Sequence, residues 1–173
     1  MLVAALGLEA RHLVCAQLLN NGPTWLGLLI DSAEVLLGLT PNHQELKRLG
    51  QMVGVAHVQQ ALPAIEKLSI LNPERRAGEP PHPRLMHTGG APQVQLRAFA
   101  AAVGVNEDPV CGSLNASLAQ WLIADGLTPS HYIATQGTCL GRHGQVHIDQ
   151  DAEDGQIWVG GDVVTCIDGM VCL

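Results

Sequence analysis

Glu107-Asp108-Pro109-Val110-Cys111-Gly112-Ser113, running on into Leu114-Asn115-Ala116-Ser117-Leu118-Ala119-Gln120-Trp121-Leu122-Ile123-Ala124, is the stretch that decides the fold. Its second part reads as a helix whose apolar residues cover nearly every face. Such a helix is expected to be buried on all sides. Asp125-Gly126 stops it. The first part feeds the chain into that helix through a sharp entry. Pro109 forces Asp108 into an extended conformation, and Gly112-Ser113 follows at the helix start. The first N–H groups of a helix have no intrahelical partner and carry partial positive charge, so they suit a carboxylate. One short segment thus offers two carboxylates (Glu107 and Asp108), the Cys111 thiol, the Ser113 hydroxyl and an anion hole. That set fits acid–base chemistry on a small carboxylate-bearing substrate. An ordinary capped helix with acids placed to suit its dipole would leave the same local pattern.

Strand signals surround this helix. Downstream, Tyr132 to Gln136, Gln145 to Asp149, Gln156 to Val159, Val163 to Ile167 and Met170 to Cys172 read as a meander, with turns at Arg142-His143-Gly144, Ala152 to Gly155, Gly160-Gly161 and Asp168-Gly169. Upstream, Met1 to Leu8 reads as a short helix ending at Gly7 and Arg11 to Leu19 as a strand. Thr24 to Ile30 is a continuous apolar run, as in a buried strand, after the turn Asn20-Asn21-Gly22-Pro23. Asp31 to Leu39 looks helical. Thr40-Pro41 predicts a second helix start, with Thr at the N-cap and Pro at the first position, and Gly54 its end. Val55 to Val58 is the next strand. In Gln93 to Ala100, apolar Val94, Leu96 and Ala98 alternate with polar Gln95 and Arg97. Residues 61–92 hold six prolines and read as a surface insertion or loop within one domain spanning 1–173. The expected class is α+β: a curved, mostly antiparallel sheet wrapped round a buried central helix.

Composition agrees. The 173 residues are 47% hydrophobic and 14% charged, which excludes a disordered chain. Aromatics make up only 3%, so Leu, Val, Ile and Ala must build the core. The net charge of −7, without a basic stripe, argues against nucleic acid and anionic membranes as partners. No run reaches the roughly 18 to 20 apolar residues of a membrane span, and Met1 to Ala10 lacks the basic front end of a signal peptide. The five cysteines form no CxxC pair, as expected of reduced thiols in a cytoplasmic protein. His143 and His147, with Cys139 nearby, have helical ligand spacing on a turn and strand, where it loses its meaning, so no metal is expected.

Taken together, Arg97-Ala98-Phe99 and Gly104-Val105-Asn106-Glu107-Asp108-Pro109-Val110-Cys111-Gly112-Ser113 resemble the signature of the phenazine-biosynthesis PhzF-like family. Asn21 to Leu26, Gln136-Gly137, Leu140 to Gly144 and the stretch from Gly160-Gly161 to Gly169 agree in order and spacing. The resemblance implies a diaminopimelate-epimerase-like fold: two similar domains, each a barrel-like sheet round a central helix, with the active site between them. It also implies a cofactor-independent isomerase; the type member shifts protons on a dihydro-hydroxyanthranilate. Asp108 matches an active-site aspartate, and Gly112 and Ser113 match positions where substrate binds; Glu107 and Cys111 join the catalytic candidates. The family's main catalytic glutamate and an active-site histidine lie on its N-terminal domain, which is expected to be missing here. Neither Glu9 nor Glu34 replaces them. The chain is therefore expected to be an incomplete half-site that associates with itself or with the missing domain. Two alternatives stay open. One is half of a cysteine-based racemase or epimerase using Cys111; the other is a non-catalytic dimerising or binding fragment. Leu114 and Asn115 depart from the family pattern after Gly-Ser and leave the substrate undetermined.

Overall fold

The computed structural model describes residues 1–59 and 93–171. The expected insertion over 61–92 lies outside them. Eight strands form one sheet: β1 (Leu13–Asn20), β2 (Thr24–Ile30), β3 (Met52–Val58), β4 (Val94–Ala100), β5 (Val105–Asp108), β6 (His131–Gln136), β7 (Gly144–Gln150) and β8 (Ile157–Gly160). The order is β1-β2-β3-β4-β6-β7-β8, with β5 paired to β4. Pairs β2/β3 and β4/β6 are parallel and the others antiparallel. The sheet curls round a helix of 13 residues, here α4 (Gly112–Ala124), which packs against β1, β2, β7 and β8. Three short helices, α1 (Leu2–Ala5), α2 (Ala33–Gly38) and α3 (His43–Leu49), cover the outer face. This is the α+β arrangement the sequence predicts.

Strand alternation sorts the side chains into two cores. The inner core joins Leu114, Leu118 and Leu122 of α4 to Trp25, Leu29, Ala56, Leu96, Ala98, Tyr132, Ala134, Val146 and Ile148. The outer core joins Leu28, Ile30, Val53, Val55 and Phe99 to Leu36 and Leu46 of the short helices and to Leu6, just after α1. A strand covered on both faces needs apolar residues throughout, which explains the unbroken run in β2. Gly54 lies on the inner face of β3, where a Cβ would collide with the Leu114 side chain. The missing side chain lets α4 sit close to the sheet.

Several expectations need correction. Helix α3 begins at Asn42, whose side chain accepts the Glu45 N–H at 3.0 Å, and not at Thr40-Pro41. It ends at Gly50, in the left-handed region at φ +69°, and Gly54 belongs to the following strand. Helix α4 is not buried all round: Gln120 and Ala124, one turn apart, are exposed beside a cavity of about 280 Å³ against β1. Arg97, expected on a polar alternate position, is 6% exposed. Residues 163–167 and 170–171 form no strand, and Val163, Ile167 and Met170 stand in solvent. Their pattern suits a strand, but a strand needs a partner to complete its hydrogen bonds, and β7 is the only described pairing of β8.

Candidate active site

The two carboxylates of the entry segment are separated by one residue step along β5. Successive side chains of a strand point to opposite faces. Glu107 goes outward, where the Arg97 guanidinium grips both of its oxygens, Nε at 2.9 Å and Nη2 at 2.8 Å. Arg97 Nη1 also donates to the Leu36 and Leu39 carbonyls at the end of α2, at 3.2 and 2.8 Å. Its guanidinium carbon lies 5.0 Å from the centre of the Phe99 ring. Both side chains of the pair are 7% exposed. Burial works against the Arg97 charge, yet hydrogen bonding and attraction from Glu107 hold its pKa above the ordinary arginine value. Glu107 is thus consumed by a structural pair on the face away from α4.

Asp108 takes the other direction and remains half-buried. Its Oδ1 accepts the Val110 N–H at 3.1 Å, a side-chain turn of the kind aspartate favours, while Pro109 holds the chain extended before it. The turn is clamped from beneath by Gln136, at the end of β6 and 1% exposed. Gln136 Nε2 donates to the Asp108 carbonyl at 2.7 Å, and its Oε1 accepts the Cys111 N–H at 3.1 Å. The same Oε1 accepts from Asn115 Nδ2 at 2.9 Å, and Asn115 Nδ2 also reaches the Cys111 carbonyl at 2.9 Å.

Cys111 is the N-cap of α4 but makes no side-chain cap bond, and the first turn of the helix holds no acidic residue. The helix therefore does not neutralise its own positive end, and an external anion is favoured there. Cys111 is 8% exposed, and its thiol lies 3.4 Å from the Ser113 hydroxyl. Ser113 Oγ accepts the Trp25 indole N–H at 3.2 Å, and the Ser113 carbonyl accepts from Asn21 Nδ2 at 2.9 Å. The β1–β2 turn thus braces the helix start. Gly112 itself is exposed. It opens onto a cavity of about 540 Å³ whose walls include Val110, His143, Gly144 and Asp162. Asp108, Cys111 and Ser113 are not among those walls.

The structure therefore gathers Cys111, Gly112 and Ser113 at one helix start, places Asp108 at the entrance of the turn leading there, and pairs Glu107 with Arg97 on the other face. Cys139 donates to the Leu37 carbonyl, and His143 and His147 are exposed on a loop and on β7. Among the described residues no three His, Cys, Asp or Glu side chains are grouped to hold a metal, and no described helix is long and apolar enough to cross a membrane. The chemistry of Gln136 and Asn115, which are buried, and of Asn21, which is exposed, does not mark them in the sequence. An amide gives no periodic signal, and only the Gln136-Gly137 and Asn21 to Leu26 stretches touch two of the three positions.

Residues 77–169 match the family described as "Phenazine biosynthesis-like protein" (PhzC-PhzF). The chain is 25% identical over 160 residues to the protein named antisense-enhancing sequence 1 of Schizosaccharomyces pombe, covering 88% of this chain and 45% of that one. It is 25% identical over 175 residues to an uncharacterized isomerase of Clostridium acetobutylicum, covering 94% of this chain and 50% of that one. Among solved structures, a PhzF-family phenazine biosynthesis protein of Bacillus anthracis aligns with TM-score 0.59 at 15% identity, over 91% of this chain and 49% of that one. A predicted epimerase of Pseudomonas aeruginosa aligns with TM-score 0.58 at 21% identity, over 92% and 46%. The chain thus spans about half the length of the relatives it matches.

Proposed function

The chain belongs to the phenazine biosynthesis-like (PhzF) family, and on that premise we propose that it supplies one wall of a cofactor-independent isomerase site acting on a small carboxylate-bearing substrate. The observation that carries this reading is the start of α4. It is a buried helix whose first turn has no acid and no side-chain cap, whose Gly112 is open to solvent, and whose entry turn presents Asp108. The helix start binds the substrate carboxylate, and Asp108 moves the proton. The Asp108 carboxylate accepts the Val110 N–H, and proton abstraction is the role we assign to it.

The relatives are about twice as long as the part this chain matches, and we place the opposite wall on what corresponds to their remainder. The test is proton exchange in D₂O. The full chain, alone and mixed with the half of the Clostridium relative that it does not match, is incubated with a dihydro-hydroxyanthranilate. Deuterium uptake in the mixture, with little by the chain alone, is expected. Absence of uptake in every mixture, with binding retained, favours a non-catalytic binding module instead. A thiol mechanism keeps one point in its favour, the Cys111 position at the helix N-cap. Unchanged exchange in Cys111→Ser would dispose of it.

A further inference from the structure

The buried amides beneath the entry turn are the polar groups that the proposed chemistry leaves unused. Gln136 and Asn115 are each 1% exposed. Neither faces solvent or the cavity at Gly112. Between them they join the backbone on both sides of Pro109-Val110: the Asp108 carbonyl before it, and the Cys111 N–H and carbonyl after it. The Gln136 to Asn115 bond, at 2.9 Å, closes the network. Gly137 and Gly144, which flank this floor, have no room for a Cβ because Pro109 and Val110 press against them. The turn is therefore held by two hydrogen-bonding amides below and by two bare backbones beside it. Each buried polar atom in such a network carries a penalty when its partner is lost.

We infer that Gln136 and Asn115 form a positioning pair that presets the distance between Asp108 and the first turn of α4. The pair acts through the backbone and touches no substrate. Its link to catalysis rests on the half-site reading above, but the clamp itself is independent of it. A misplacement of about 1 Å between reacting groups costs on the order of 100-fold in rate, so the pair governs turnover more than binding.

Gln136→Glu is the informative variant. An ionised glutamate cannot donate to the Asp108 carbonyl and sets a carboxylate oxygen against it, which drives the turn off its floor. A protonated one again offers an O–H to that carbonyl and an oxygen acceptor to the Cys111 N–H and Asn115. Burial raises the pKa of a glutamate at this position, which brings its titration into a usable range. The first readout is amide hydrogen exchange of Cys111 in the full chain, as the ratio of variant to wild type at pH 5.5 and pH 8. The expected ratio is roughly 5- to 10-fold at pH 8, because losing the Asp108 carbonyl bond weakens by about one net hydrogen bond the turn that closes over this amide, and it falls towards one at pH 5.5. A ratio near one at both values, or one that does not respond to pH, overturns the clamp. Asn115→Asp, whose side chain has no donor at pH 8, gives a second variant should the first fail to fold, and it is expected to speed the same amide. The second readout is substrate exchange in the mixture, where kcat falls at pH 8 with KM little changed and recovers on acidification. A freed Cys111 amide with unchanged kcat overturns the positioning role while leaving the half-site intact. No exchange by the wild-type mixture defeats the half-site reading, and the amide ratio then decides the clamp alone.

Discussion

Glu107 and Asp108 are neighbours in the chain and opposites in the fold. On the outer face of β5, Glu107 meets Arg97, whose guanidinium also reaches the carbonyl end of α2 and the Phe99 ring, and water is shut out. On the other side, Asp108 accepts the N–H of its own turn and stays half-exposed next to an uncapped helix start. Equal chemistry in the sequence becomes structure on one side and proposed reactivity on the other. The difference is made by strand alternation and by a single buried arginine. Adjacent carboxylates on one strand meet different surroundings because their side chains leave opposite faces.

The largest effect that would break this contrast is on stability. Replacing Glu107 by Gln leaves the Arg97 charge buried without its counter-ion, which costs about 3–5 kcal/mol. Urea denaturation of the full chain reads this directly, and a loss below about 1 kcal/mol would show that the pair is not shut away from water. Replacing both partners, as Arg97→Met with Glu107→Leu, removes the buried charges together. That variant is expected to regain most of the loss, because apolar substitutes for a buried pair are often neutral or better. The α2 carbonyls lose their donor, so recovery stops short by about 1 kcal/mol. Asp108→Asn keeps an acceptor for the Val110 N–H, and its stability is expected to move by less than about 1 kcal/mol.

The mildest test concerns a thiol on β1. Burial first, and Asp125 second, push Cys15 up to about 11. A folded-state pKa above the unfolded value means that this contribution is complete below pH 9 and is lost as pH rises towards 11. Melting temperatures are expected to decline across that window, and less steeply in Cys15→Ala. Equal slopes would remove Cys15 as a cause.

The architecture was legible because its signals are repetitive. The run Thr24–Ile30 gave β2 with its observed bounds, and the apolar wrap of Leu114, Leu118 and Leu122 gave the central helix. Where two local signals competed, only tertiary structure chose between them. Asn42 took the cap from Thr40, and Gly50 took the left-handed position while Gly54 was used for close approach to Leu114. The strand over 163–167 failed because strand propensity is not a partner. The site was less legible. Arg97 reads as a surface residue in a half-buried strand, and only the sheet order, with helices packed outside β4, buries it. Gln136 and Asn115 carry no spacing that announces a clamp, since Gln136 bonds backbone atoms 25 and 28 residues away and the two side chains that meet are 21 residues apart.

The most direct measurement sets the two carboxamide variants side by side in the D₂O exchange assay, each with the complementary half and each corrected for its folded fraction. Asp108→Asn is expected to fold normally and to lose at least about 100-fold in exchange, the usual contribution of a positioned acid or base. Glu107→Gln is expected to be less stable and yet to keep most of its exchange per folded molecule. Retained exchange in Asp108→Asn, or an equal loss in a well-folded Glu107→Gln, would contradict the assignment of one carboxylate to the fold and the other to the reaction.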